Sequence, residues 1–153
     1  MKIKIIHFAF FLVLTFTLVN CSSNEKKSGF DLLKSKADSY YKLGNYDSSK
    51  LYFTYLIQID SLNGEYYFKR GYSNSMLLKQ SESINDYLKA VELKYKPAKA
   101  FYNIGVNYEL RNDSLALIYY KKCYEVDPSY PNVQDDIQDC SNRLKKGKFF
   151  TPH

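Results

Sequence analysis

"ADSYYKLGNYDSSKLYFTYLIQID" (Ala37–Asp60) is followed 34 residues on by "GYSNSMLLKQSESINDYLKAVELK" (Gly71–Lys94). After another 34 comes "GVNYELRNDSLALIYYKKCYEVDP" (Gly105–Pro128). Each segment opens on a small residue, and each carries a large ring further along: Phe53, Tyr87 and Tyr120. A fixed period of this length marks a stack of like units. The residue types follow from packing, because two antiparallel helices approach closely only where a small side chain faces a large one. Ala37, Gly71 and Gly105 supply the gaps and the three rings supply the bulk. Tyr40 and Leu43, then Leu51, Leu56 and Ile59, recur at helical spacing. One unit cannot cover its own apolar face, so neighbouring units build the core together. Six Gly and four Pro in 153 residues are too few for a turn-rich β architecture, and the reading is all-α.

The pattern extends to Tyr40 and Tyr108 after the small residue, Gly44 in the first turn, and Tyr46 at the start of the second helix. Ser49 and Ser83 are its small positions, and Asp127-Pro128 closes the third segment. That segment is one residue shorter in its turn, which brings Ala116, Tyr120 and Cys123 into register. Over Asp31 to Pro128 the chain resembles the tetratricopeptide-repeat family. The resemblance implies a right-handed superhelical solenoid of about three helix–turn–helix repeats, at about 30–63, 64–97 and 98–128. A C-terminal capping helix is expected within 129–147, since "NVQDDIQDCSNRLKKG" aligns Val133, Ile137, Cys140 and Leu144 on one stripe. Asp135, Asp136, Asp139 and Arg143 form its polar back, and 148–153 is a tail. The chain departs from the family at Asn74, where an aromatic is usual, in "LLKQS", which lacks the turn glycine, and at Ser61 and Tyr95, where proline is frequent.

The N-terminus has a different character. Lys2 and Lys4 precede an apolar run of 15 residues, Ile5–Val19, short of the roughly 20 that cross a bilayer. This describes an export signal. "LVNC" (Leu18–Cys21) resembles the lipobox of bacterial lipoproteins, with Asn20 where a smaller residue is usual. The resemblance implies removal of residues 1–20, acylation of Cys21 and a flexible tether over 21–29. An uncleaved anchor helix and a signal cleaved without lipid are the alternatives. Localisation to the bacterial cell envelope follows, lipid-anchored, with the outer membrane expected.

Chemistry is sparse. The only histidines are His7, in the signal, and His153, the last residue, so the repeats contain no imidazole base or ligand. No glycine-rich phosphate loop occurs, and Cys123 and Cys140 lack zinc spacing. No enzyme, metal or cofactor is expected. The formal charge is +6, but setting aside Lys2, Lys4, Arg143, Lys145, Lys146 and Lys148 leaves 16 basic residues facing 16 acidic ones. That balance argues against nucleic-acid binding. Cys123 and Cys140 are read either as buried thiols acting as small hydrophobes or as a disulfide pinning the cap.

In the family, first-helix residues on the concave side carry ligand contacts. By alignment these include Lys34, Asp38, Tyr41 and Lys42, then Phe68, Lys69, Tyr72, Ser75 and Met76, then Lys99, Tyr102, Asn103, Val106 and Glu109. Tyr41, Phe68, Tyr72 and Tyr102 are expected to floor a groove for a protein or peptide partner, with Lys34, Lys99 and Asn103 as polar contacts. The family's carboxylate clamp matches at Lys34 and Lys99 but not at Asp38, Lys69 and Asn103, and is rejected. The function expected is an interaction scaffold or adaptor on a membrane; the alternative is a glycan- or nutrient-binding accessory lipoprotein.

Overall fold

A computed structural model describes residues 28–109 and 111–148. The signal at 1–20, Cys21, most of the tether and residues 149–153 lie outside them. Seven helices and no strand occur among the described residues: α1 (28–42), α2 (Tyr46–Ile59), α3 (Gly64–Met76), α4 (Gln80–Glu92), α5 (Pro97–Glu109), α6 (Asp113–Val126) and α7 (Val133–Lys148). Helix α1 already includes Ser28 and Gly29, which the sequence reading assigned to a flexible segment.

The helix boundaries have local causes. Asn45, Asn63 and Asn112 precede α2, α3 and α6, and each side-chain oxygen accepts an N–H of the first turn at 3.0–3.1 Å. Pro97 opens α5, where its missing N–H costs nothing. After α1 the chain turns through Gly44 at φ 73, with Asn45 N donating to Tyr40 O at 3.0 Å. The turns after α3 and α4 use the same hydrogen bond without glycine: Leu78 and Lys94 both stand at φ 58.

Helices pair as α1/α2, α3/α4 and α5/α6, each pair packs on the next, and α7 closes on α6. The pairing rests on the small-against-large contact. A Cβ added at Gly105 would meet the Tyr120 ring at 2.5 Å, and one at Gly71 would meet Asp86 at 3.1 Å and Tyr87 at 3.3 Å. Ala37 shares a buried cluster with Phe53, Leu56 and Tyr66. Two further clusters follow: Phe68, Tyr87, Ala90, Ala100 and Ile104, then Ala116, Tyr120, Cys123, Val133 and Cys140.

The small serines also join helices. Ser49 and Ser73 hydroxyls meet at 2.8 Å between α2 and α3. Ser83 donates to Gly71 O at 2.7 Å and accepts from Asn107 at 2.9 Å.

Two expectations about faces are corrected. Leu43, Leu51 and Ile59 are 77%, 47% and 62% exposed. On α2 the buried face is Ser49, Phe53 and Leu56, while Leu51, Tyr55 and Ile59 run along a separate stripe. On α7, Asp136 is not part of a solvated back, since its Oδ2 is shut from solvent without a hydrogen-bond partner, while Arg143 stays exposed and binds Asp113 through Nε at 2.8 Å.

Replacing Gly105 with Ala forces the Tyr120 ring or helix α5 to move, a cost of about 1–3 kcal/mol. Thermal unfolding followed by circular dichroism should show the loss; an unchanged transition would mean that the two helices do not approach as described.

Candidate functional site

Helices α1, α3 and α5 form one surface. Lys69 of α3 donates to Asp38 of α1 at 2.6 Å, and Ser75 of α3 donates to Asn107 of α5 at 2.6 Å. Tyr41 and Tyr72 meet edge to face with ring centroids 5.5 Å apart. Tyr41 also rests against Phe53, and Tyr72 against Tyr46. Burial, reinforced by Tyr72, pushes the Tyr41 hydroxyl up to about 12. Lys69 also binds Glu65 at 2.7 Å. Burial disfavours its charge, but the bonds to Asp38 and Glu65 outweigh this and hold its pKa above the ordinary lysine value. A lysine so committed is unable to grip a ligand carboxylate.

The other expected floor residues are placed differently. Phe68 is 4% exposed, held between Tyr87 at 5.3 Å and Tyr95 at 5.6 Å, and belongs to the core. Tyr102 packs on Tyr120 at 5.4 Å and under Tyr130 at 4.9 Å, so the segment leading into α7 covers it. Its hydroxyl is driven up by burial and by the Asp136 carboxylate beside it. Asn103 turns its amide inward, with Nδ2 shut from solvent next to the Tyr87 hydroxyl.

What remains open is Tyr41 and Tyr72, half-buried, with Met76 and Val106, 46% and 45% exposed. Lys34 and the exposed Lys99 stand about two helical turns before Tyr41 and Val106 and make none of the ion pairs among the described residues. Sequence reasoning missed Tyr46, Tyr95, Tyr130 and Asp136 as the groove's supporting shell; "EVDPSY" held the signal for Tyr130, read there only as a helix end. Cys123 and Cys140 are unbridged thiols, fully buried in one cluster. Burial pushes the Cys123 thiol up to about 11, and Arg143 Nη2 donates to Cys140 Sγ at 3.1 Å. Among the described residues no group of three metal-ligating side chains converges.

Tyr87, Tyr102 and Tyr120 are raised chiefly by burial, as Tyr41 is. Their contribution to stability is complete below the ordinary tyrosine pKa of about 10 and is lost as pH rises through the folded values. Tyrosinate absorbance should therefore rise gradually for exposed rings and then steeply, together with loss of helical signal. A single smooth titration that leaves the helices intact would contradict the burial of these rings.

No family model matches the chain. It is 25% identical over 118 residues to serine/threonine-protein phosphatase 5 of Rattus norvegicus, spanning 76% of this chain and 24% of that relative. The Homo sapiens protein of the same name is 26% identical over 119 residues, again with 24% of its length spanned. Among solved structures, the first tetratricopeptide-repeat domain of Spaghetti bound to an HSP90 peptide superposes with a TM-score of 0.68 at 24% identity, covering 76% of this chain and 93% of that one. The Yersinia enterocolitica secretion chaperone SycD, in complex with a peptide of the translocator YopD, gives 0.69 at 16% identity, covering 78% and 95%. The chain has the tetratricopeptide-repeat fold, three helix pairs closed by a seventh helix.

Proposed function

We propose that this chain is an interaction scaffold of the bacterial cell envelope, non-enzymatic, anchored through an acylated Cys21, that holds an extended segment of a partner protein along α1, α3 and α5. The observation that carries the reading is the run of Tyr41, Tyr72, Met76 and Val106, apolar surface left open on adjacent first helices while the ends of the other rings are covered. Lys34 and Lys99, about two turns before Tyr41 and Val106 on the same helices, favour a segment that mixes apolar and acidic residues. The peptide complexes of Spaghetti and SycD support a peptide as the occupant, since both have this fold. With Phe68 buried and Tyr102 covered, little aromatic platform is left for a sugar ring.

A photo-reactive residue at Val106 should capture a protein, and reversing charge at Lys34 and Lys99 together should cut that capture about tenfold. Capture indifferent to both lysines would overturn the groove. The anchor is tested separately by mass spectrometry of the membrane-extracted protein, with residues 1–20 absent and Cys21 acylated as the expected result. An intact N-terminus with unmodified Cys21 would remove the anchor and leave the groove standing.

A further inference from the structure

The stack is closed at one end and open at the other. Residues 34 apart take equivalent places, so Leu32 corresponds to Tyr66 and Ala100, Lys36 to Arg70 and Ile104, and Ser39 to Ser73 and Asn107. In α3 and α5 these places meet the second helix of the preceding pair. Tyr66 lies against Phe53 of α2 with ring centroids 6.2 Å apart, and Ser73 bonds Ser49. Ala100 and Ile104 are buried with Tyr87 and Ala90 of α4, and Asn107 donates to Ser83 at 2.9 Å. Helix α7 meets α6 in the same way through Val133 and Cys140. No helix precedes α1 among the described residues. Leu32, Lys36 and Ser39, with Leu43 just past its end, are all exposed along one side of it.

Helix α2 widens this edge. Glu82 and Asp86 of α4 face Lys50 and Thr54 of α2 across a cleft, whereas their equivalents Ser48 and Tyr52 have no preceding helix to face among the described residues. Tyr52 stacks on Tyr40 with centroids 5.3 Å apart, and Tyr55 leans on Tyr52 at 6.4 Å. Tyr55 and Ile59 share that side of α2 and are exposed.

Charge and covalent reach decide what covers the edge. Lys36 and the neighbouring Lys42 are exposed and make none of the ion pairs among the described residues. Two copies meeting here would set lysine against lysine. The far end of a second stack would offer the exposed back of α7, with Asp135, Gln138, Asp139 and Asn142, a polar surface on which leucines gain nothing. Ser28 stands seven residues after Cys21, so a lipid on Cys21 holds the start of α1 within about 24 Å of a bilayer. Leucines to insert, with tyrosines and lysines around them, match the headgroup boundary of a membrane.

We propose that this edge, formed by Leu32, Leu43, Tyr55 and Ile59 with Lys36, lies against the bilayer that holds the acylated Cys21. The inference rests on the anchor proposed above and adds the orientation of the chain. The stack stands on end with α7 farthest from the lipid, and the groove along α1, α3 and α5 runs outward from the surface.

The chain contains no Trp, so Tyr55→Trp introduces a single reporter at the edge and Gln138→Trp a control on the back of α7. Each acylated variant is placed in vesicles of phosphatidylethanolamine and phosphatidylglycerol with brominated acyl chains. Bromine should quench the fluorescence of Tyr55→Trp and leave Gln138→Trp bright, and adding Leu32→Ser with Leu43→Ser should cut that quenching about twofold. Both leucines are already exposed, so an unchanged melting temperature is expected for the doubly replaced chain. Mass spectrometry of Cys21 on the same samples separates the two readings. Unquenched Tyr55→Trp on a vesicle-bound, acylated chain overturns the edge and leaves the anchor standing, whereas an unmodified Cys21 removes both. Blue-shifted emission without quenching would assign the edge to a second copy and overturn the proposal as well.

Discussion

Everything in this chain depends on a ring lying against a residue with little or no side chain. Tyr120 covers Gly105 so closely that a methyl group there would overlap the ring, and Tyr87 lies over Gly71. These contacts set how near the two helices of a pair can come. That nearness makes the other joints possible. Serine hydroxyls are short, and Ser83 reaches Gly71 O at 2.7 Å only because α3 and α4 are drawn together. The pair contains the specification, and the stack repeats it.

The period of 34 and the alternation of small and large residues made the helix pairs and the cap readable, because both are properties of position within a unit. What the sequence obscured depends on a neighbouring unit. Phe68 occupies a groove position in its own repeat, yet Tyr87 and Tyr95 enclose it. Tyr102 would face the groove but for Tyr130, which arrives from the loop before α7. The exposure of Leu43 and Ile59 was hidden for a related reason, since helical spacing identifies a stripe but not which of two stripes meets the next helix. Turn geometry was partly concealed too. Leu78 and Lys94 adopt a glycine's backbone conformation, held there by the bonds that the next residues, Lys79 and Tyr95, donate to Asn74 O and Ala90 O.

The cap shows how electrostatics completes what apolar contact begins. Val133 and Cys140 enter the last cluster, and Arg143 then ties α7 to both helices of the preceding pair, through Glu109 of α5 and Asp113 of α6. These bridges are partly exposed and contribute little individually. On the same helix Asp136 stands beside Tyr102 of α5.

The core is divided into three clusters, each made by one helix pair and the element after it. Contacts are therefore short in sequence, the arrangement that lets a chain fold quickly and from either end. A divided core also limits the reach of damage, because loosening one cluster need not dissolve the others. The middle pair carries the Arg70–Asp86 and Asn74–Asp86 bonds where the pairs on either side of it stack rings, Tyr40 on Tyr52 and Tyr108 on Tyr119. Mechanically the chain behaves less like a solid block than like three links, and the polar link in the middle is the one whose stiffness solvent and salt can tune.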